Sequence, residues 1–190
     1  MSNCGQEAET GSEGQSSFNY DVPGIVPELQ QPSDMTCWAT AATMLVSWHN
    51  NASYAIQSVT DMAGSTFREK FDNNQGLLGS EKEPFMTGLG LRSEPPMCYN
   101  VDGFLSLLKA YGPLWVTTDE DPTENFSIHA RVAVGMSSDG SANNTTIRII
   151  DPADGNTHSE AYDVFMKKFE EVAIGDLSGG RPFRIQIIHY

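Results

Sequence analysis

Hydrophobic residues recur at helical spacing in the first half of the chain, whereas in much of the second half they alternate with polar residues as strands do. The predicted helices are residues 37–50, 56–63, 66–71, 101–111 and 159–171, and the predicted strands are residues 114–118, 128–137, 145–150 and 183–189. Helices that precede most of the strands favour an α+β fold with an antiparallel sheet over a doubly wound parallel fold.

One folded domain is predicted for residues 19–190, preceded by a disordered acidic leader or linker over residues 1–18. That first segment has no large apolar side chain between Met1 and Phe18, so ordering it would bury almost nothing. Residues 75–94 are rich in glycine and are predicted to form a long loop with a short helical piece. Asn100 is a good N-cap for the helix at 101–111, and Gly112 followed by proline ends it.

The chain is strongly acidic, with 25 Asp and Glu against 11 Lys and Arg and a net charge of -14. Such a surface repels phosphate backbones and anionic lipids, so binding to nucleic acid or to a membrane surface is not expected. Three cysteines, an odd number without a CxxC pair, predict neither a disulfide framework nor a cysteine-rich zinc site. No metal or organic cofactor is therefore expected.

The first residues lack the basic and apolar regions of a signal peptide, and no apolar stretch approaches the roughly 20 residues of a spanning helix. We expect a domain that folds in a cytosol-like compartment, or that leaves its cell through a specialised secretion system.

Cys37 stands at the start of the first predicted helix, and this position gives it candidate chemistry. Unpaired backbone N–H groups and the helix dipole favour a thiolate there, and the thiolate is the nucleophilic form of cysteine. Gln31 lies six residues earlier and can fold back beside the helix start, where its amide and the N–H of Cys37 would stabilise an oxyanion. A buried structural cysteine in a helix of small residues is the alternative interpretation.

A thiol nucleophile needs a base, and His129 is the best candidate. It opens a strand whose alternation directs it away from the apolar face. A polar loop at 137–144 predicts a hairpin with the next strand, and its midpoint places His129 opposite Asp151 within one residue of register. The carboxylate would then hold the imidazole in one tautomer while the other ring nitrogen faces the thiol.

The other three histidines have simpler explanations. His49 lies about three turns beyond Cys37 on the same helix, His158 lies in a polar turn, and His189 stands at the chain end.

These residues together resemble a papain-like cysteine protease. The Gln31, Cys37-Trp38-Ala39, His129 and Asp151 windows are most similar to the leader-cleaving peptidase domains of bacteriocin exporters and to the avirulence proteases that plant-pathogenic bacteria inject into host cells. The resemblance implies a papain-like fold, with a nucleophile helix in an N-terminal helical half that packs on a C-terminal antiparallel sheet.

By resemblance, Cys37 is the nucleophile, His129 the base and acid, Asp151 the orienting partner and Gln31 the oxyanion donor, with Gln30 as an alternative for that last role. Asp151 stands where papain itself has asparagine.

The resulting hypothesis is a cysteine endopeptidase that cleaves a target protein and acts as a bacterial toxin or effector delivered into another cell. Exporter peptidases cut after a double glycine, so a Gly-Gly site in the substrate is one expectation, and an immunity protein that neutralises the enzyme is another. Gly179-Gly180 is more simply a turn before the last strand. The alternatives are a peptidoglycan amidase or endopeptidase, a deamidase or transglutaminase that uses the same thiol, and an inactive papain-like binding module.

Overall fold

The computed structural model describes residues 16–121, 127–141 and 144–190, in which six helices and seven strands form. The helices are α1 (Cys37–His49), α2 (Ile56–Ala63), α3 (Ser65–Asp72), α4 (Gly79–Leu89), α5 (Val101–Tyr111) and α6 (Tyr162–Ser178). The strands are β1 (Phe18–Asp21), β2 (Arg92–Ser93), β3 (Leu114–Asp119), β4 (Ile128–Ser138), β5 (Thr145–Asp151), β6 (Asn156–Ala161) and β7 (Ile187–His189). None of these helices combines the length and the apolar character needed to cross a lipid bilayer.

The strands form a single antiparallel sheet in the order β2-β7-β3-β4-β5-β6, and β1 adds to β4. The predicted α+β class with an antiparallel sheet is therefore confirmed.

Hydrophobic cores cover both faces of this sheet. On one face, α1 to α4 pack against Trp115, Val132 and Ile150. On the other face, α5 and α6 pack against residues such as Val116 and Ile149. Because neighbouring strand residues point to opposite faces, the same strands supply both cores.

Three sequence predictions differ from the structure. The last strand was expected over residues 183–189, but β7 comprises only Ile187–His189. Residues 159–161 were expected to begin a helix, but they complete β6, and the helix α6 starts at Tyr162 and continues to Ser178. The glycine-rich stretch at 75–94 contains an 11-residue helix, α4, rather than a short helical piece.

The helix boundaries predicted around α5 are confirmed. The side chain of Asn100 accepts a hydrogen bond from the N–H of Gly103 at 2.8 Å, and the helix ends at Gly112, whose φ is 81°. Residues 1–15 of the predicted disordered leader lie outside the described residues, and Phe18 already belongs to β1.

Candidate active site

The turn before α1 leaves the first backbone N–H groups of the helix without a side-chain cap. Thr36 occupies the N-cap position, but its hydroxyl donates to the carbonyl of Ser33 at 2.7 Å and makes no capping bond. The backbone N–H of Trp38 instead donates to the sulfur of Cys37. The N–H of Trp38 thus favours the ionised form of this sulfur.

Cys37 carries a free thiol, whereas Cys98 is disulfide-bonded. Burial would raise the pKa of the Cys37 thiol, but the hydrogen bond and the charge of His129, with N–H groups of Ala130 and Trp38, lower it below its ordinary value. A lowered pKa favours the thiolate, the reactive form.

His129 lies between this sulfur and a carboxylate. Its Nε2 is 2.6 Å from Oδ1 of Asp151, which leaves Nδ1 as the ring nitrogen for the sulfur of Cys37. Burial opposes protonation of the ring, but the hydrogen bonds and charges of Asp151 and Cys37 outweigh it and raise the pKa of His129 to about 9. The imidazole and the thiol therefore favour an imidazolium–thiolate pair.

Asp151 ends β5 and is held by groups besides the imidazole. Its Oδ1 also accepts the N–H of Ala153 at 2.8 Å. Burial would raise the pKa of Asp151, but the bonds from His129 and Ala153 and the charges of His129 and Arg131 lower it. The carboxylate therefore stays ionised beside the imidazolium.

The strand register differs from the prediction by a small amount. Val132 of β4 pairs with Ile150 of β5, so extending the register by one residue places Asp151 opposite Arg131, two residues from His129. The hairpin is centred later than its loop pattern suggests, and a bulge lies between Ala133 and Gly135. The two side chains still meet because diagonal neighbours on paired strands lie within reach of long side chains.

Gln31 lies beside the turn that precedes α1, with its amide turned toward that turn. Its Nε2 donates to the carbonyls of Ser33 and Asp34, both at 3.0 Å, and its buried Oε1 has no hydrogen-bond partner among the described residues. Gln30, the alternative candidate, is exposed and donates to the carbonyl of Ala153 at 3.2 Å. Both N–H groups of the Gln31 amide are therefore engaged in this orientation, whereas the Gln30 amide uses one of its two.

The remaining histidines are occupied elsewhere. His49 stacks on Tyr190 with ring centroids 3.8 Å apart, and His158 pairs with Asp154 at an exposed position. His189 is buried and lies 3.0 Å from a carboxylate oxygen of Glu94.

Sequence analysis missed a buried lysine near this site. Lys82 of α4 is 5% exposed, and its Nζ donates to Oγ1 of Thr117 at 3.0 Å and to the carbonyl of Ile185 at 2.7 Å. Its nitrogen also lies 5.6 Å from the centre of the Trp115 ring. A lone lysine in a glycine-rich stretch offers no pattern from which this burial could be predicted.

Among the described residues, no group of three or more histidine, cysteine, aspartate or glutamate side chains is arranged to hold a metal ion. A family model described as papain-like cysteine protease AvrRpt2 matches residues 16–170 of the chain. No curated protein matches the sequence of this chain.

Proposed function

Because the chain belongs to the papain-like cysteine protease family of AvrRpt2 and is a cysteine peptidase, we propose that it cleaves peptide bonds in a target protein with Cys37, His129 and Asp151. One observation carries this proposal, namely the continuous hydrogen-bonded chain from the Cys37 sulfur through the His129 ring to the Asp151 carboxylate. A nucleophile, a base and an orienting group in this order are what acyl transfer by a thiol requires.

In this mechanism, the Cys37 thiolate attacks the scissile carbonyl carbon, and the π electrons of the carbonyl move to its oxygen. The imidazolium of His129 then protonates the leaving amine as the C–N bond breaks, which leaves a thioester on Cys37. Neutral His129 next takes a proton from water, whose oxygen attacks the thioester. Collapse of that second intermediate releases the carboxylic product and restores the thiolate and the imidazolium.

The oxyanion formed in both attacks would be bound by the backbone N–H of Cys37 and by the amide of Gln31. For this role, the Gln31 side chain must rotate so that one amide proton leaves the carbonyls of Ser33 and Asp34. The unpaired Oε1 supports such a rotation, since a buried acceptor without a partner destabilises the observed orientation by about 1–3 kcal/mol.

The biological role we propose is that of a bacterial effector or toxin that acts on a protein inside another cell after specialised secretion. Membership in a family described by an avirulence protease supports this role. A substrate site with two glycines and a neutralising partner protein in the producing cell belong to the same proposal. The net charge of -14 argues against nucleic acid or a membrane surface as the target.

The test is to incubate the wild-type protein and its Cys37→Ala variant with whole-cell lysates and to map new protein N-termini. We expect new N-termini with the wild type and none with Cys37→Ala or His129→Ala. His158→Ala is the matched control, because it removes an imidazole that pairs with an aspartate at an exposed position, and it should cleave like the wild type.

Cleavage that survives in Cys37→Ala would remove the nucleophile assignment. Unchanged N-termini together with deamidated or cross-linked glutamines would show that the thiol performs a different acyl transfer.

A further inference from the structure

The five residues from Asp151 to Gly155 form a tight turn that is bonded at both ends. The carbonyl of Asp151 accepts the N–H of Gly155 at 2.7 Å and that of Asp154 at 3.3 Å. The Asp151 carboxylate accepts the N–H of Ala153 within the same turn. The geometry of the carboxylate that contacts His129 is therefore set by the conformation of this turn.

The outer side of the same turn contacts the entry segment, residues 22–31 between β1 and α1, which contains the two glutamines. The carbonyl of Pro152 accepts the backbone N–H of Gln31 at 2.7 Å, and the carbonyl of Ala153 accepts the side-chain amide of Gln30 at 3.2 Å. A third bond follows just beyond the turn, where the hydroxyl of Thr157 donates to Glu28 at 2.5 Å. The entry segment thus rests on the turn through several hydrogen bonds.

We infer that Gly155 is a positioning residue, on which the turn depends to hold the Asp151 carboxylate against His129 and the Gln31 backbone beside α1 at the same time. This inference rests on the proposed function for its meaning in catalysis. It adds that one backbone turn couples the position of the Asp151 carboxylate to that of Gln31, so that a displacement of one also displaces the other.

Gly155 has two properties that make it the sensitive point. Its φ is +70°, a conformation that glycine adopts freely and other residues adopt under strain. A Cβ atom added there would lie 2.9 Å from the backbone nitrogen and 3.1 Å from the Cα of Gln30. A side chain at position 155 therefore forces the turn and the entry segment apart, because the neighbour is backbone and cannot rotate away.

Gly90 provides a matched control. Its φ of +73° is nearly the same, but a Cβ added there meets nothing within 4 Å. Gly90→Ala therefore introduces the backbone strain of Gly155→Ala without the contact.

The experiment compares the two variants by two measurements that require no substrate. The first is hydrogen exchange of the Gln31 backbone amide, which reads the bond to Pro152. The second is the rate at which iodoacetamide alkylates Cys37 between pH 5 and pH 9. This rate follows the thiolate fraction of Cys37, which depends on how well Asp151 stabilises the imidazolium of His129.

In Gly155→Ala, we expect exchange at Gln31 to be at least about tenfold faster than in Gly90→Ala, since its acceptor has moved away. Loss of the Ala153 bond loosens Asp151, which lowers the pKa of His129 and raises that of Cys37. An increase of about half a unit in the pKa of Cys37 would lower the thiolate fraction at pH 6, and alkylation there should therefore be slower by roughly threefold.

Equal behaviour of the two variants would overturn the inference. A change at Gln31 with an unchanged alkylation profile would also overturn it, because the turn would then hold the glutamine alone. If Gly155→Ala does not fold, Gly155→Asn and Gly90→Asn give the same comparison with less strain, since asparagine tolerates positive φ. The two variants can differ in Gln31 exchange and in Cys37 alkylation even if the wild-type protein produces no new N-termini in the lysate. That result would contradict the proposed function but support the coupling through the turn.

Discussion

In the folded protein the imidazole of His129 carries the proton that it shares with Cys37, whereas in water the thiol would carry it. An isolated thiol has a pKa of about 8.5 and an isolated imidazole about 6.5, so free in solution the sulfur keeps the proton. In the fold, the pKa of Cys37 falls while that of His129 rises to about 9. The reversal follows from hydrogen bonds and neighbouring charges, because burial alone would push both groups toward their neutral forms.

At this scale, the sequence predicts residue identities better than side-chain orientations. A cysteine at a helix start and a histidine and an aspartate on neighbouring strands follow from local pattern. The orientation of the Gln31 amide depends on the carbonyls of Ser33 and Asp34, whose positions are set by the turn itself. No spacing rule reports on that geometry.

The two adjacent glutamines provide a test of the oxyanion assignment. Gln31→Ala should lower kcat about 10²- to 10³-fold, the usual effect of removing one oxyanion donor, with little change in KM. Gln30→Ala removes an exposed amide bonded to Ala153 and should lower kcat much less. Steady-state kinetics on a peptide that spans the mapped cleavage site provides the measurement, and a reversed order of the two variants would transfer the role to Gln30.

At the scale of elements, packing overrides local preference in α4 and β6. The helix α4 contains Pro84 and begins at Gly79, both poor helix formers, yet Phe85 is fully buried and contacts Trp38 edge-on with ring centroids 5.1 Å apart. The strand β6 is polar and mostly exposed, and only its pairing with β5 makes it a strand. Tertiary contacts of this kind leave no periodic signal in the sequence.

Lys82 links α4 to the sheet and should make stability depend on pH. Burial, followed by the nearby charge of Arg184, lowers the pKa of Lys82 to about 7. The unfolded chain, where lysine has a pKa near 10.4, therefore binds more protons than the folded one between these values, and stability rises with pH across that range.

We expect the free energy of unfolding of a Cys37→Ala protein, relative to that of Cys37→Ala with Lys82→Met, to rise by roughly 1 kcal/mol per pH unit from pH 7 to pH 9. The shared Cys37→Ala change removes the titration of the thiol from both proteins. Urea denaturation at several pH values measures the difference. Lys167→Met, which removes an exposed lysine of α6, is the control. The difference in free energy of unfolding between Cys37→Ala with and without Lys167→Met should not change with pH. A difference that is likewise independent of pH for Lys82→Met would contradict the prediction.

At the scale of the whole molecule, the end of α1 is clamped against the junction between α5 and β3. The indole N–H of Trp48 donates to the carbonyl of Pro23 at 2.7 Å, and its ring packs against the core on the far face of the sheet. Gly112 lies directly against this ring. One aromatic side chain thus connects α1 with both the entry segment and the second core.

Gly112→Ala should break this connection. A Cβ there would lie 2.2 Å from the Trp48 ring, and the φ of +81° adds backbone strain. Overpacking and strain together should reduce the free energy of unfolding by about 3–5 kcal/mol, measured by chemical denaturation. Gly90→Ala, which carries strain alone, should lose only about 1–2 kcal/mol, and an equal loss in both variants would show that Trp48 yields without cost.

The distribution of the site over two distant stretches of the chain also affects its synthesis. Cys37 leaves the ribosome 92 residues ahead of His129, which at ordinary elongation rates is a delay of roughly 5 to 20 s. During that interval the sulfur lacks the His129 imidazole that lowers its pKa, so the thiol of the nascent polypeptide stays mostly protonated. The complete site therefore cannot form until nearly the entire domain has been translated and has folded.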